Sequence, residues 1–594
     1  MTGESTALDG VSSPVEPRPV FCVIDGACRD MATAIRVSSG VFDLAGVAVR
    51  LGTDPDWLGR DLPPDEEWRI EWSKFYYGLD LAHAYQGTGD PRFLEAWLGL
   101  VKSWIDQVGV DHDSSDVIAR RIQNWTYAWN RFAATPDYTG IEAATAERIK
   151  GSIRAQLARL RRHLSAERNH RTLELYALFV CALAHPDLDP AGRLVGFAVH
   201  ELYRNLCADI LPDGAHRELS THYHAIVLRS FLGLKVNAVR FAIELPDDFD
   251  RRLLAACDFL AHVMRPDGSL PMLSDSDDGD HRDLLLLAAD LYDREDLRYV
   301  ATGGRRGAAP KRRCRSFPDA GYHVQRSGWG SRDIPYERER HLVFDCGPVG
   351  AGGHGHYDAL HVEVSAGGSA LLIDPGRHTY SEHGRQNLRQ WFKGTSAHNT
   401  VCVDGLDQTP YRRGKPKGPV AQVRLLDLAE VEGLASVTGE VISPAYDAIH
   451  RRTVIFVAEE WWIIDDTLVA HEAHDYDLRF HLAPEAEDRT GLVGPMGARS
   501  PGLCLLFAGP DLDAVAVQPG WVARRYGTRQ AAPVVSVTRA RANRARFITA
   551  VVPTADHQPA PTLEWDGGSC LQLDRAGLVD TVCWVDGPMT WERR

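Results

Sequence analysis

No run of 18 apolar residues occurs in the 594-residue chain, which leaves no candidate for a helical membrane span. The opening segment MTGESTALDGVSSPVEPRP lacks the basic start and apolar centre of a secretory leader. A cytoplasmic location is therefore expected, with export left to a route that carries no such signal. Positive charge is short as well: 66 Lys and Arg against 81 Asp and Glu give a net charge of −15. That balance argues against a nucleic-acid partner, whose phosphates need a basic footprint. It does not fix the charge of a single cleft, so an anionic ligand stays open. Cysteine is scattered, with eleven residues and no CxxC pair. These read as free or buried thiols of a reducing compartment, and no structural disulfide is expected. No segment repeats at a fixed period, which disfavours an open solenoid.

What is present is an ordinary globular composition, 44% hydrophobic and 25% charged, at a length that requires two or three domains. The 15 Trp and 18 Tyr are generous; such rings line sugar grooves, but most pack in cores. Residues 1–30 are polar and contain proline, which predicts a disordered lead, followed by a hairpin or extended arm at Ala34–Leu51. From 65 to 299, apolar residues recur at helical spacing in Trp68–Tyr85, Pro91–Val108, Thr145–His163, Arg171–Ala184 and Leu253–Val263, with short turns between them. Successive helical hairpins suit a solenoid or an α/α toroid and place a helical domain at 31–300. The Gly-, Pro- and Arg-rich stretch Ala301–Ser316 is the candidate linker. Beyond it, β-rich runs such as His341–Cys346, Ala370–Asp374, Thr400–Val403, Trp461–Ile464, Tyr476–His481 and Phe547–Val552 predict an antiparallel β-sandwich over 317–594. The expected class is α+β multidomain, helical first and β second, with a cleft where the two meet.

The densest chemical cluster is Gly352-Gly353-His354-Gly355-His356-Tyr357-Asp358, followed by Asp374-Pro375-Gly376 and by Ala397-His398-Asn399-Thr400. Residues two apart in an extended segment point to one side. An H-x-H pair, a strand-end Asp and a third His can therefore close a tetrahedral site for zinc. For the H-x-H alone, a glycine-rich turn with surface histidines is the better reading. In the helical half, Arg120, Arg121, Asn124 and Trp125 form a polar-aromatic cluster on one helix. It suits sugar subsites and a solvated helix face equally.

The segments GHGHYDALHVEVSAGGSALLIDPG (353–376), SAHNTVCVDGLDQ (396–408) and DAGYHVQRSGWG (319–330) closely resemble the C-terminal domain of the heparinase II/III polysaccharide lyases. The resemblance implies an N-terminal incomplete α/α toroid, a β-sandwich and cleavage of a uronate-containing glycan by β-elimination. It implies a catalytic His354 and a structural zinc on His356, Asp374 and His398. Asp213-Gly214-Ala215-His216-Arg217-Glu218-Leu219-Ser220-Thr221-His222-Tyr223-His224 resembles the family's D-G-x-x-x-E-x-S-x-x-Y-H segment. Tyr223 is thereby implied as general base and often also acid, and Glu218 as a substrate contact. Glu167-Arg168-Asn169-His170-Arg171 resembles the segment that neutralises the uronate carboxylate, without deciding between Asn169 and His170. That neutralisation is needed because the C5 proton is poorly acidic beside a charged carboxylate. Two alternatives remain: a glycoside hydrolase using two carboxylates from Glu167, Glu174, Glu218 and Asp213, and a non-catalytic glycan-binding protein.

Overall fold

The computed structural model describes residues 16–60, 62–412, 418–568, 570–584 and 588–594. The chain forms two compact units: residues 1–208 with 229–249, and 209–228 with 250–594. None of the described helices is long and apolar enough to cross a membrane.

The first unit is helical. The first apolar pattern, expected as one helix at Trp68–Tyr85, is two, Glu66–Ser73 and Tyr77–Thr88. The break falls at Phe75, whose φ of 60° no helix accommodates. Ser115–Ala133 packs between Tyr77–Thr88 and Arg168–Ala184, and the seam is aromatic. Trp57 stacks on Trp72 at 4.0 Å, and Trp125 meets Phe75 and Trp104 edge-on. The hairpin expected after residue 34 is Val41–Leu44 with Val47–Arg50, but a helix, Met31–Ser38, precedes it. Asp30 caps that helix through the amides of Ala32 and Thr33. The disordered lead expected at 1–30 needs correction over 16–30. Arg18 N–H donates to the Ala184 carbonyl at 2.7 Å, and Phe21 N–H to Asn237 Oδ1 at 2.8 Å. Residues 1–15 lie outside the described residues.

The second unit opens with helical segments and continues into antiparallel sheets of five, ten and four strands. The stretch 301–316 leads from helix Glu295–Ala301 to strand Arg315–Phe317 inside this unit. Apolar side chains of the five-stranded sheet, among them Leu342, Phe344 and Val364, share one core with Val437, Phe456, Trp462 and Phe480 of the ten-stranded sheet. Strand Trp461–His481 is the spine, pairing with Ile449–Val457, Gln530–Pro553 and Val401–Val403. Its register shifts around His474. That imidazole is held between Asp404, 2.6 Å from Nδ1, and Asp447.

One expectation about the thiols fails. Cys570 and Cys583 lie directly opposite in paired strands of the four-stranded sheet and form a disulfide. Spacing alone hides such a pair, because sequence does not reveal which strands face each other. The other nine cysteines are free.

Candidate active site

Helix Thr221–Arg240 begins where Ser220 Oγ accepts the amide of Tyr223 at 3.3 Å, an N-cap. Ser220 also donates to the Asp275 carbonyl at 3.0 Å, so one hydroxyl places both Tyr223 and the turn holding Asp275. The glycine-rich segment 350–356 packs against this motif. A Cβ on Gly350 would stand 2.4 Å from the Glu218 carbonyl oxygen, so only glycine permits the approach. Arg389 and Lys393, one turn apart on helix Leu388–Lys393, both donate to the Gly353 carbonyl, at 3.3 and 2.9 Å. They fix the loop from the other side.

Tyr223 and His354 come together, their rings 4.1 Å apart. The Tyr223 hydroxyl lies 2.7 Å from that of Tyr380. Arg377 donates to Tyr380 at 2.6 Å and stands 3.5 Å from Tyr223, while Asp277 holds its other edge at 2.6 and 2.9 Å. Burial, then the neighbouring Tyr223 and Asp275, push the Tyr380 phenol well above its usual value, so Tyr380 keeps its proton near neutrality. His354 donates from Nδ1 to Asp275 Oδ2 at 3.0 Å, and its Nε2 stands 3.7 Å from Glu218.

Asp275 is fully buried and shared. Its Oδ1 accepts from His356 Nε2 at 3.0 Å, and Arg389 bridges both of its oxygens. Burial alone would raise its pKa; Arg389 and the two histidine bonds overrule it and hold the carboxylate well below the usual range.

Behind this carboxylate, His356, Asp358, Asp374 and His398 bring one ligand atom each within 4.8 Å of one another, all buried. His398 Nδ1 donates to the Gly394 carbonyl at 2.8 Å, which leaves a lone pair on Nε2. His356 Nε2 is committed to Asp275, which leaves a lone pair on Nδ1. These two nitrogens stand 3.1 Å apart, with Oδ2 of Asp358 and of Asp374 buried beside them and lacking a hydrogen-bond donor among the described residues. Burial pushes both carboxyls up. Four buried acceptors without a hydrogen-bond donor suit a cation, so the cluster can hold a metal ion. His361 is near Asp374 but accepts the Asn399 amide at Nδ1, 2.9 Å. Its proton is thereby on Nε2, which makes it a donor beside the cluster rather than a ligand.

Of the residues singled out in sequence, Glu218, Tyr223, His354, His356, Asp374 and His398 all belong to the second unit, whereas Asn169 and His170 belong to the first. There Asn169 is buried near the start of helix Arg168–Ala184 and His170 is exposed. The polar-aromatic cluster is corrected. Arg121, Asn124 and Trp125 have no exposed surface, and Arg120 keeps 9%. Arg121 lies over the Trp104 ring at 3.8 Å and donates to Gln156 and Asp113, while Asn124 donates to the Lys74 carbonyl. Arg121, Asn124 and Trp125 are therefore not a solvated face, because the helical seam occupies them. Two carboxylates suggested for hydrolysis are structural. Glu174 accepts from Ser115 and Ser165, and Asp213 from the amides of Ala215 and Ala320.

Sequence reasoning missed Asp358, Asp275, Arg377, Tyr380 and Arg389. Asp358 carried a signal, since His356 and Asp358 are two apart like the H-x-H itself. Asp275 sits in the acidic run SDSDDGD (274–280), which reads as a solvated loop until the Gly353–His354 segment packs on it.

Residues 309–566 match Heparinase II/III-like, C-terminal, and residues 25–299 match Heparinase II/III N-terminus. The chain belongs to the heparinase II/III family. It is a polysaccharide lyase, with the helical toroid and β-sandwich of that family. A heparin-sulfate lyase of Bacteroides stercoris is 23% identical over 556 residues, covering 86% of this chain and 79% of the relative. Among solved structures, a heparinase III superposes with TM-score 0.77 at 18% identity over 100% of this chain and 93% of the other. A heparan sulfate lyase from Pedobacter heparinus gives TM-score 0.65 at 20% identity, covering 96% and 90%. These two share the fold with this heparinase II/III member.

Proposed function

We propose that this chain cleaves a glycosaminoglycan of the heparan type by β-elimination, with Tyr223 as base and Tyr380 as acid. The observation that carries the reading is the pair of phenols under one guanidinium. A Tyr223 phenolate accepts from the Tyr380 hydroxyl and faces Arg377, the environment that favours an ionised phenol. It takes the C5 proton of the uronate. The C5–H electrons become the C4–C5 double bond, the C4–O4 bond breaks, and O4 leaves with the proton of Tyr380. Arg377 then stands between two phenols whose protonation states have exchanged, and one proton transfer between them restores the site. His354, oriented by Asp275 with Nε2 toward Glu218, is assigned to the sugar or its carboxylate. Support for the substrate class comes from the heparin-sulfate lyase names of the relatives.

The metal is proposed to be zinc, held by His356, Asp358, Asp374 and His398, a nitrogen and oxygen set suited to tetrahedral coordination. Bound there it supplies positive charge that neutralises the buried carboxylates and orders the loop carrying His354. The proton transfers belong to the chain's own side chains.

The test is a panel of uronate polymers and their oligomers, read by ultraviolet absorbance of the unsaturated product. Heparan-type chains are expected to give signal. Tyr223→Phe, which removes one oxygen and keeps the ring, is expected to lower kcat by about 10²–10⁴-fold with substrate binding retained. Near-normal turnover by Tyr223→Phe would sink the assignment.

A further inference from the structure

The chain carries net charge −15, yet the loop joining strands Ala514–Val522 and Gln530–Pro553 is ARRYGTR (523–529), with three Arg and no acid. Arg524 is engaged by Glu485. Arg525 and Arg529 are exposed and meet no carboxylate among the described residues. Arg529 lies over the ring of Trp521 at 4.3 Å, and Trp521 is itself 37% exposed. A guanidinium resting on an indole face is held flat, with its N–H groups directed outward at its rim.

This loop is fastened to the segment that carries Tyr380. Ala523 N–H donates to the Pro375 carbonyl and Gly527 N–H to the His378 carbonyl, both at 2.8 Å. His378 Nδ1 faces the Thr528 carbonyl at 3.2 Å. The Tyr526 ring stands 5.7 Å from the Tyr380 ring and 5.5 Å from the Arg377 guanidinium. A Cβ on Gly376 would stand 2.4 Å from the Ala523 carbonyl oxygen, so the two loops touch backbone to backbone. Trp521 and Arg529 are therefore a fixed extension of the catalytic loop, with little ordering left to do on binding.

We propose that Arg529, oriented by Trp521 and assisted by Arg525, is a distal subsite for an anionic group of the glycan, a sulfate or a uronate carboxylate on a sugar beyond the cleaved pair. The planar fork matches either oxyanion. A local patch of this kind lets an acidic protein take a polyanion. The inference rests on the lyase reading above.

Arg529→Ala and Trp521→Ala are compared with wild type on a size-graded series of heparan-type oligosaccharides. The KM ratio of the longest chain to the shortest cleaved one is expected to rise about tenfold in each. Arg529→Lys should restore part of the loss, because a point charge replaces the fork. On desulfated long chains, a penalty that persists identifies the anion as carboxylate, and one that vanishes identifies it as sulfate; both support the subsite. An unchanged KM ratio in Arg529→Ala overturns it. Calorimetric binding of the same long chains reads the subsite independently of turnover. If wild type forms no unsaturated product from any chain, the lyase reading falls. Weaker binding by Arg529→Ala then still supports the anion site, and equal binding still refutes it.

Discussion

Two phenols 2.7 Å apart have room for one negative charge and not two, and in the proposed mechanism Arg377, at 2.6 and 3.5 Å, stabilises the single phenolate. Removing either oxygen should therefore do different damage. Tyr380→Phe takes away both the proton for O4 and the bond that steadies a Tyr223 phenolate. Its kcat is expected to fall about 10²–10⁴-fold on natural glycan. A synthetic substrate whose leaving group needs no protonation should recover much of that loss. Equal deficits on the two substrates would remove Tyr380 from the acid role. The motif around Tyr223 was legible because its neighbours are local in sequence. Tyr380 was not, since what makes it more than a loop aromatic is a hydroxyl 157 positions away.

Among the elements, strand Val401–Val403 ends beside a titratable group. It begins three residues after His398, and Asp404 just past its end meets His474 of the neighbouring spine strand, with Asp447 on the other ring nitrogen. Hydrogen bonds donated by the imidazole to both carboxylates, Asp404 first, outweigh the opposing effect of burial and raise the pKa of His474. A histidine raised on folding contributes stability that is fully present below its unfolded value of about 6.5 and is lost as pH climbs through its raised folded value. The urea midpoint of wild type should thus exceed that of His474→Gln at acidic pH, with the gap closing toward alkaline pH. A gap independent of pH would refute the clamp. The four-stranded sheet makes a second prediction. Thiol titration of the unfolded, unreduced chain should find the nine free cysteines, and the full eleven only after reduction. Eleven without reductant would refute the disulfide. Helices and strands were largely legible, because periodicity is a local property. The pairing of Cys570 with Cys583 was not, because it is a property of register.

At the scale of the whole molecule, the candidate metal site joins segments that sequence keeps apart: His356 and Asp358, Asp374, and His398. Without the proposed ion, two buried carboxyls face two imidazole lone pairs with no cation between them. Prolonged chelation is therefore expected to lower Tm by several degrees and to abolish lyase activity, with zinc restoring both. One zinc per chain by elemental analysis is the matching stoichiometry, and Asp358→Ala should fall below it. A chelated protein that keeps its Tm and its turnover would show the cluster to be something other than a metal centre. Fold class was legible from the change in grammar near residue 300, from helical spacing to alternation. The division into compact units was not, since the second unit draws 209–228 and 250–300 from the helical half.

Asp275 has a consequence for how such a protein can change over generations. One carboxylate serves His354 through one oxygen and His356 through the other, with Arg389 on both. Drift at this position is seen at once by the loop carrying His354 and by the candidate metal site, so no mutation there can be compensated in one place. Across descendants of this sequence, Asp275, His354, His356 and Arg389 should be inherited as a block or lost as a block. A lineage that has abandoned catalysis should reveal itself by the decay of all four, while Asp213 and Glu174, which only hold backbone and hydroxyls, persist.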